Sequence, residues 1–377
     1  MTHSHTMRVL HVVGARPNFM KAAPVIAALA RSRRIAQVLV HTGQHYDANM
    51  SDVFFRQLGL PEPDVNLGVG SGSHAVQTAE VMVRFERVLL DRAPDLVLVY
   101  GDVNSTLAAA LVSTKLGVPV AHVEAGLRSF DRSMPEEINR VVTDSIVDLL
   151  FTPSEDGDEN LLREGVSPAR IHRVGNVMID TLVRLLPQAD ARWERLEGDL
   201  DIRGRRYGLV TLHRPSNVDQ DDSLRAIARA LDAIGRRLPL VFPVHPRTRQ
   251  RFAAAGVAWS GDGVRLCEPL GYLDFLALQR RAAVVITDSG GIQEETTFLG
   301  VPCLTLRENT ERPVTVTLGT NTLVGRDMDR LRSEVARVLA GDARRGQPPP
   351  LWDGRAADRI AAIVERALRD GWGSAGV

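Results

Sequence analysis

Two series of short apolar segments, each followed by a longer amphipathic segment, limit this chain to the α/β class. The apolar segments are rich in β-branched residues and have the length of single strands. This alternation is typical of parallel sheets, whose crossover helices cover both faces. The predicted strands are residues 8–14, 37–43, 95–102, 119–126 and 149–153 in the first series, and residues 207–214, 239–245, 264–269, 283–291 and 302–307 in the second.

The two series predict two doubly wound, Rossmann-like domains, because a polar and charged stretch at 187–206 separates them. The length of 377 residues also exceeds the size at which one hydrophobic core usually keeps growing. We expect the first domain to span 7–180 and the second 206–345, with a cleft between them. Prolines exclude a helix from the linker at 344–350, and the amphipathic segment 353–370 predicts a terminal helix.

The charge balance limits the partners of the chain. Lys plus Arg and Asp plus Glu each number 46, so no global field attracts nucleic acid or an anionic membrane. The first six residues lack the features of a signal peptide, and no apolar run reaches about 18 residues, so we expect a cytoplasmic protein. Cys267 and Cys303 lie in apolar runs and are interpreted as buried thiols. His41 and His45 follow a strand rather than share a helix face, so no metal site is expected.

Polar residues follow the predicted strands at their carboxyl ends, where open parallel sheets bind ligands. They are Arg16, Gln44, His45, Asp102 and Glu124 in the first series, and His213, Arg214, His245, Ser289, Gly290 and Gly291 in the second. Carboxylates therefore concentrate in the first half, and anion-binding groups in the second.

The segment DSGGIQEE at 288–295 predicts a phosphate site. It follows a buried strand and leads into a helix, and its glycines let a phosphate approach backbone N–H groups at the helix N-terminus. Glu294 and Glu295 follow about one turn later, where a carboxylate can accept hydrogen bonds from a ribose diol. Two simpler interpretations stay open: Asp288 or Ser289 is an ordinary N-cap, and the glutamates only complement the helix dipole.

Several acidic residues in the first half are candidates for general acid–base work, because crowded carboxylates raise one another's proton affinity. They are Asp102, Glu124, Glu136 and Glu137.

Each of these acids could instead have a purely structural role. Asp102 could cap the helix that follows it. Glu124 could pair with Arg128, and Glu136 with Arg140, as surface ion pairs of small worth.

Basic residues from both halves form the cationic complement that a diphosphate-sugar requires. They are Arg16, Lys21, His213 and Arg312. Taken singly, each would more often be a solvated surface residue.

Eleven motifs, in order, closely resemble the non-hydrolysing UDP-N-acetylglucosamine 2-epimerases. They are GARPNFMKAAPV, TGQHYD, YGDVNSTLAAAL, HVEAGLRS, MPEEINR, FTPSE, VGNVMIDTL, TLHRPSNVD, PVHPR, DSGGIQEE and ERPVTV, and they span most of residues 8–325. The resemblance implies the two-domain fold of GT-B glycosyltransferases and a homodimer. It also implies that helix 353–370 crosses back to complete the first domain.

The resemblance further implies inversion at sugar C2, which interconverts UDP-GlcNAc and UDP-ManNAc without a metal or other cofactor, for surface-polysaccharide synthesis. UDP is eliminated to leave an enzyme-bound 2-acetamidoglucal and then adds back. Which carboxylate serves which face of C2 stays open.

The resemblance assigns roles by motif. The diphosphate would be held by Arg16, His213, Ser289, Gly291 and Arg312, and the ribose by Glu295. The sugar side would be lined by Lys21, Asp102, Glu124, Glu136 and Arg140. The predicted catalytic residues are Asp102, Glu124, Glu136 and His213, and further predicted substrate contacts are Gly290, His245 and Phe275.

The chain departs from the family pattern where some bacterial members bind UDP-GlcNAc as an activator. GQHR is replaced here by GQHYD, with Tyr46 and Asp47, and an Arg-Gln-Thr sequence is replaced by one with Val76. We therefore expect activation by substrate to be weak or absent.

Rival functions stay open at this point. A relative acting on a 2,3-diacetamido uronate would use the same elimination and would need an extra cation near C6, for which Arg128 and Arg132 are candidates. Three more rivals are a hydrolysing member of the family, a GT-B glycosyltransferase with an acceptor groove, and a non-catalytic nucleotide-sugar sensor.

Overall fold

The computed structural model describes residues 6–43 and 57–370, and the chain divides into two compact units. One unit contains residues 1–181 and 350–377, and the other contains residues 182–349. Within the described residues, no helix combines the length and the apolar composition needed to cross a membrane.

The first unit is built on a seven-stranded parallel sheet, in the order β3-β2-β1-β4-β5-β6-β7. The strands are β1 (Met7–Val13), β2 (Ile35–His41), β3 (Val65–Asn66), β4 (Leu96–Tyr100), β5 (Val120–Val123), β6 (Leu149–Thr152) and β7 (Ile171–Arg173). The helices that follow the strands are α1 (Arg16–Leu29), α2 (His74–Arg92), α3 (Asn104–Lys115), α4 (Pro135–Ile146) and α5 (Glu155–Arg163), and α6 (Val177–Asp190) begins in this unit and ends in the other. β4, β5 and β6 are buried along their whole length, as the apolar runs predict.

The second unit contains a six-stranded parallel sheet, in the order β10-β9-β8-β11-β12-β13. Its strands are β8 (Gly208–Thr211), β9 (Leu240–Pro243), β10 (Val264–Cys267), β11 (Val284–Thr287), β12 (Cys303–Thr305) and β13 (Asn321–Leu323). Its helices are α7 (Trp193–Asp199), α8 (Pro215–Val218), α9 (Asp221–Gly235), α10 (Pro246–Ala254), α11 (Tyr272–Arg281), α12 (Gly290–Leu299), α13 (Val314–Thr317) and α14 (Met328–Leu339). The two doubly wound sheets confirm the predicted α/β class.

The carboxyl-terminal segment returns to the first unit. Helix α15 (Ala356–Asp370) packs against α1, and the Asp180 carboxylate accepts hydrogen bonds from the first two amides of α15 at 3.1 and 2.7 Å. Trp352, which is buried, donates its indole N–H to the Pro153 carbonyl at 2.9 Å. A carboxylate cap and a buried aromatic anchor therefore fix the terminal helix.

The sequence did not predict β3, β7, β13 or α7, and one thiol is less buried than predicted. β3, β7 and β13 have only two or three residues, too few to show a hydrophobic period. The polar stretch at 187–206 contains α7, whose apolar positions are sparse. Cys303 is buried, which raises the pKa of its thiol to about 11, whereas Cys267 is only half-buried.

His11 makes a buried hydrogen-bond chain in the middle of the first sheet. Its Nδ1 lies 2.6 Å from the Tyr100 hydroxyl, and its Nε2 lies 2.9 Å from Gln37 Oε1. Gln37 donates its own amide N–H to the Ile26 carbonyl, so Gln37 Oε1 accepts and His11 Nε2 donates. His11 Nδ1 then accepts from Tyr100, which requires a neutral imidazole. Burial lowers the pKa of His11 to about 4.

We predict that His11 makes stability depend on pH. Below its ordinary pKa of 6.5 the unfolded chain binds a proton that the folded chain excludes until about pH 4, so stability falls as the pH falls. Between pH 7 and pH 5, urea unfolding should show a free-energy loss greater in the wild type than in His11→Gln by about 2 kcal/mol. Equal losses in both proteins would contradict this assignment.

Candidate functional site

Two carboxylate–cation pairs lie at the ends of neighbouring strands in the first unit. Asp102, two residues after β4, places its Oδ2 2.5 Å from Arg140 Nη1. Glu124, directly after β5, places its Oε1 2.7 Å from Lys21 Nζ. β4 and β5 are adjacent and parallel, so the sheet itself brings these residues to one edge. The structure therefore assembles four of the predicted sugar-side residues in two pairs.

The two pairs differ in solvent exposure. The side chains of Lys21 and Glu124 are 5% and 3% exposed, whereas that of Asp102 is 24% exposed. Glu124 adopts a left-handed backbone conformation with φ of 75°, which is uncommon for a residue with a side chain. Such conformations cluster at functional sites.

Gly101 makes possible the turn that follows β4 and carries Asp102. Its φ is 64°, and a Cβ at this position would lie 2.6 Å from Lys21 Nζ. Only glycine avoids both the backbone strain and the collision with the ammonium group. The sequence YGD thus lets a buried lysine reach the edge of the sheet.

The structure rules out the three purely structural roles considered for these acids. α3 begins after Val103 with no side-chain cap, so Asp102 does not cap it. Glu124 pairs with Lys21 rather than with Arg128. Arg140 pairs with Asp102 and with Glu137, not with Glu136.

Glu136 and Glu137 are adjacent in sequence but have different surroundings. Glu137 is buried and accepts hydrogen bonds from the Ser129 and Phe130 amides at 2.9 and 2.8 Å, and from Arg140 at 2.5 Å. Burial opposes its ionisation, but these donors outweigh it and hold the pKa of Glu137 below its usual value. Glu136 is half-buried, and no group of the described chain pairs with it. Glu137 therefore has a structural role, and Glu136 is available for chemistry.

In the second unit, the predicted phosphate segment forms the start of α12. Ser289 is the N-cap residue, but its side chain makes no capping hydrogen bond. A Cβ at Gly290 would lie 2.5 Å from Glu311 Oε1 and 2.7 Å from Arg312 Nη1, so a side chain here would collide with both. The ordinary N-cap interpretation is therefore wrong for Ser289, and a guanidinium lies against the helix N-terminus.

Two buried carboxylates hold Arg312 in this position. Arg312 Nε lies 2.8 Å from Glu294 Oε1, and Arg312 Nη1 contacts Glu311. Glu311 also pairs with Arg307 at 2.7 Å. Burial opposes ionisation of Glu311, but the two guanidinium groups hold its pKa well below the usual range. Glu294 pairs with Arg312 in this cluster, so Glu295 is the remaining candidate for the predicted ribose contact.

His213 is held by a carboxylate from the same phosphate segment. Its Nδ1 lies 2.9 Å from Asp288 Oδ1, and its side chain is 60% exposed. Asp288 is buried and also accepts from the His213 and Arg214 amides and from Asn217. Burial opposes its ionisation, but hydrogen bonds from His213, Asn217 and the backbone keep the pKa of Asp288 below its ordinary value. Asp288 therefore caps the turn after β8, not its own helix, and fixes the orientation of His213.

Glu295 is a buried carboxyl group with a raised pKa. It accepts a hydrogen bond from the Tyr272 hydroxyl at 2.9 Å, and Tyr272 was not predicted as a site residue. Burial raises the pKa of Glu295 to about 7, although its hydrogen bonds oppose this change. A Tyr at the start of α11, 23 residues earlier, gives no sequence signal of this contact.

The remaining predicted residues are less clearly assembled. His245 is exposed, and its Nδ1 accepts from the Arg247 amide as the N-cap of α10. Phe275 is half-buried on α11 and packs against an apolar cluster. The side chain of Arg16 and all of Gln44, His45, Tyr46 and Asp47 lie outside the described residues, and Val76 is 58% exposed on α2.

Comparison with known proteins identifies relatives over nearly the whole chain. A family model described as UDP-N-acetylglucosamine 2-epimerase matches residues 27–365. The UDP-N-acetylglucosamine 2-epimerase of Methanocaldococcus jannaschii is 43% identical, covering 95% of this chain and 99% of that protein. The UDP-2,3-diacetamido-2,3-dideoxy-D-glucuronate 2-epimerase of Pseudomonas aeruginosa is 42% identical, covering 96% and 100%.

The fold is similar to a solved structure as well. The crystal structure of the M. jannaschii UDP-GlcNAc 2-epimerase in complex with UDP-GlcNAc and UDP superposes with a TM-score of 0.86 at 42% identity, covering 96% of this chain and 100% of that chain. The GT-B-like assignment of the fold is confirmed.

We predict that Gly101→Ala destabilises the protein more than Gly117→Ala does. Both glycines have left-handed φ angles, 64° and 70°, so both alanines should cost about 1 kcal/mol in backbone strain. Nothing lies within 4 Å of a Cβ at Gly117, whereas the Cβ at position 101 would displace Lys21 from Glu124. Disrupting that buried pair should add roughly 3 kcal/mol, measured by urea unfolding. Equal losses would contradict the tight contact at Gly101.

Proposed function

The chain belongs to the UDP-N-acetylglucosamine 2-epimerase family, and we propose that it interconverts UDP-GlcNAc and UDP-ManNAc by the non-hydrolysing route. The observation that carries this proposal is the presence of two carboxylate–cation pairs, Asp102–Arg140 and Glu124–Lys21, on adjacent strand ends. Inversion at C2 requires a proton to leave one face and another to arrive at the opposite face. Two separately held carboxylates supply both functions.

The proposed reaction proceeds by elimination and re-addition. A carboxylate removes the C2 proton, the C1–C2 double bond forms, and the C1–O bond breaks so that UDP leaves with the electron pair. UDP then adds back to C1 of the 2-acetamidoglucal while a proton is delivered to the opposite face of C2. Because proton transfer and leaving-group stabilisation account for every step, no metal or other cofactor is needed in this scheme.

The first unit would carry out the proton chemistry. Lys21 and Arg140 place positive charge beside Glu124 and Asp102, next to the groups that exchange protons. Glu136 supplies a third carboxylate, which has no partner in the part of the chain that the structure describes. We assign these five side chains to the sugar, without dividing the two faces of C2 between the acids.

The second unit would hold UDP. The N-terminus of α12 would offer the backbone N–H groups of Gly290 and Gly291 and the positive end of the helix dipole to the diphosphate, and Ser289 would offer its hydroxyl, which makes no capping hydrogen bond. Arg312 places its guanidinium at the same place, held in orientation by Glu294 and Glu311. With His213 Nδ1 bonded to Asp288, Nε2 is the ring atom that can meet the leaving diphosphate.

The nucleoside would be held by α11 and α12. Glu295, whose Oε1 accepts from Tyr272, would accept hydrogen bonds from the ribose diol. Phe275 would contact the base through its half-exposed ring. His245 and Arg16 complete the proposed substrate contacts on the basis of their motifs.

The uronate-specific relative provides the second candidate function. A C6 carboxylate would require an extra cation, but Arg128 is buried between Asp144 and Glu164, with contacts of 2.7 Å to each. The Arg128 side chain is 1% exposed and is not assigned to a uronate, whereas Arg132 is exposed and stays a candidate. We propose the neutral sugar as the substrate, and relative kcat/KM for the two nucleotide sugars distinguishes the two functions.

The product's charge bears on where the enzyme works. A UDP-sugar carries a charged diphosphate and does not cross a bilayer unaided. We propose that the enzyme acts in the cytoplasm, with its product used in surface-polysaccharide synthesis. Recovery of the protein in a non-cytoplasmic cell fraction would contradict this location.

We predict that Asp102→Asn abolishes C2 chemistry while leaving UDP binding near normal, because all the proposed UDP contacts except Arg16 are in the second unit. Incubation of the wild type with UDP-GlcNAc in deuterated water should give deuterium at C2 together with UDP-ManNAc, read by NMR. Loss of the acid–base group should slow exchange by about 100-fold or more.

Two outcomes would contradict this assignment. Exchange at C2 of the wild type without any epimer would reject the epimerase function. Loss of UDP affinity in Asp102→Asn, measured by calorimetry, would make Asp102 a structural residue.

We predict that UDP binds more tightly as the pH rises through about 7. The ribose hydroxyls donate to the ionised form of Glu295, so UDP binding at a pH below the pKa of Glu295 must release a proton. In that range the affinity should fall by up to about tenfold for each pH unit. In Glu295→Gln this component should vanish and leave only the titration of UDP itself. The same pH dependence in both proteins would contradict the ribose contact.

We propose a homodimer that uses helix α2. Val76, Val83 and Leu90 are 58%, 56% and 66% exposed and recur every seven residues, which forms one apolar stripe along the helix. Light scattering should give twice the 41.3 kDa mass of the chain. Val83→Asp should lower this mass, and a monomeric wild type would contradict the proposal.

A further inference from the structure

His122 on β5 and Asp144 on α4 form a buried ion pair that the proposed chemistry does not use. Both residues are 0% exposed, and His122 Nδ1 lies 2.6 Å from Asp144 Oδ1. The other ring nitrogen, Nε2, lies 2.7 Å from the carbonyl oxygen of Gly101. Both partners are oxygen acceptors, so both ring nitrogens must donate, and only the imidazolium form makes both bonds.

The hydrogen bond from His122 Nε2 to the Gly101 carbonyl fixes the turn that carries Asp102. His122 holds the Gly101 carbonyl, while the Gly101 amide donates to the Val123 carbonyl at 3.0 Å. Gly101 is thus held at both its polar backbone groups. Asp102 directly follows Gly101, and Lys21 Nζ lies where a Cβ of Gly101 would be.

The second oxygen of Asp144 fixes the turn that carries Glu124. Asp144 Oδ2 accepts from the Gly126 amide at 3.0 Å and from Arg128 Nη1 at 2.7 Å. Glu124 and Gly126 both have left-handed φ angles, 75° and 81°, so this turn needs an external partner to hold it. Burial opposes ionisation of Asp144, but His122 and Arg128 keep its pKa below the ordinary value.

We propose that the His122–Asp144 pair is a positioning pair, which sets the turns carrying Asp102 and Glu124 relative to one another. One carboxylate reaches both turns, through His122 to Gly101 and directly to Gly126. This inference rests on the proposed function, because it is the C2 chemistry that requires both acids in register. Displacement of a reacting group by about 1 Å can cost on the order of 100-fold in rate.

His122→Gln and Asp144→Asn test the proposal. A glutamine cannot reach both Asp144 and Gly101, and an asparagine cannot accept from His122, Gly126 and Arg128 together. The matched control is His11→Gln, which removes another fully buried histidine of the same sheet.

The expected result is a fall in kcat of about 10- to 100-fold in both variants, with KM and UDP affinity nearly unchanged. The amide NMR resonances of Gly101, Asp102, Glu124 and Gly126 should shift in both variants. His11→Gln should lose stability but keep kcat within about twofold of the wild type.

Three results would overturn the proposal: an unchanged kcat, shifts confined to one of the two turns, or a loss of kcat that follows melting temperature equally in His11→Gln. Absence of UDP-GlcNAc epimerisation by the wild type would instead refute the proposed function. Even then, the NMR shifts would show whether the His122–Asp144 pair couples the turns that carry Asp102 and Glu124.

Discussion

The buried ion pair between Lys21 and Glu124 is the interaction on which the polar edge of the first sheet depends. Each side chain is at most 5% exposed, so removal of either partner would leave an uncompensated buried charge, which costs about 3–5 kcal/mol. The pair also constrains Gly101, which must lack a side chain because a Cβ there would collide with Lys21 Nζ. Well-packed apolar residues can stabilise a core as well as an ion pair does. Stability alone therefore does not explain the pair, whereas the proposed proton transfer beside a sugar would.

The two units use charge in different ways. In the first unit, carboxylates lie against single cations at the strand ends, where their protonation can change during a reaction. In the second unit, Arg312 is fixed between Glu294 and Glu311, and His213 is fixed by Asp288, so these groups are oriented before any anion binds. Fixed positive groups at a helix N-terminus stabilise a leaving diphosphate without reorganisation. This contrast supports proton chemistry in one unit and leaving-group binding in the other.

The sequence was sufficient to predict the doubly wound class and the strand-end positions of Asp102, Glu124, His213 and Ser289, because apolar runs and the residues that follow them are local signals. Side-chain partners could not be predicted in this way. Arg140 pairs with Glu137 and Asp102 rather than with Glu136. Lys21 pairs with Glu124, which lies 103 residues later in the chain. Both contacts depend on how α1 and α4 pack on the sheet. Tyr272 and Asp288 were missed as partners for the same reason.

The central claim is that UDP leaves C1 and returns during each epimerisation, and positional isotope exchange tests it most directly. UDP-GlcNAc labelled with ¹⁸O in the oxygen that bridges C1 and the β-phosphorus is incubated with the enzyme, and the ³¹P NMR spectrum is followed. If the C1–O bond breaks, the label moves into the non-bridging β-phosphate positions while UDP stays bound. We expect this scrambling to accompany formation of UDP-ManNAc. Epimerisation with the label retained in the bridge would contradict an elimination in which the β-phosphate of the released UDP rotates before it adds back.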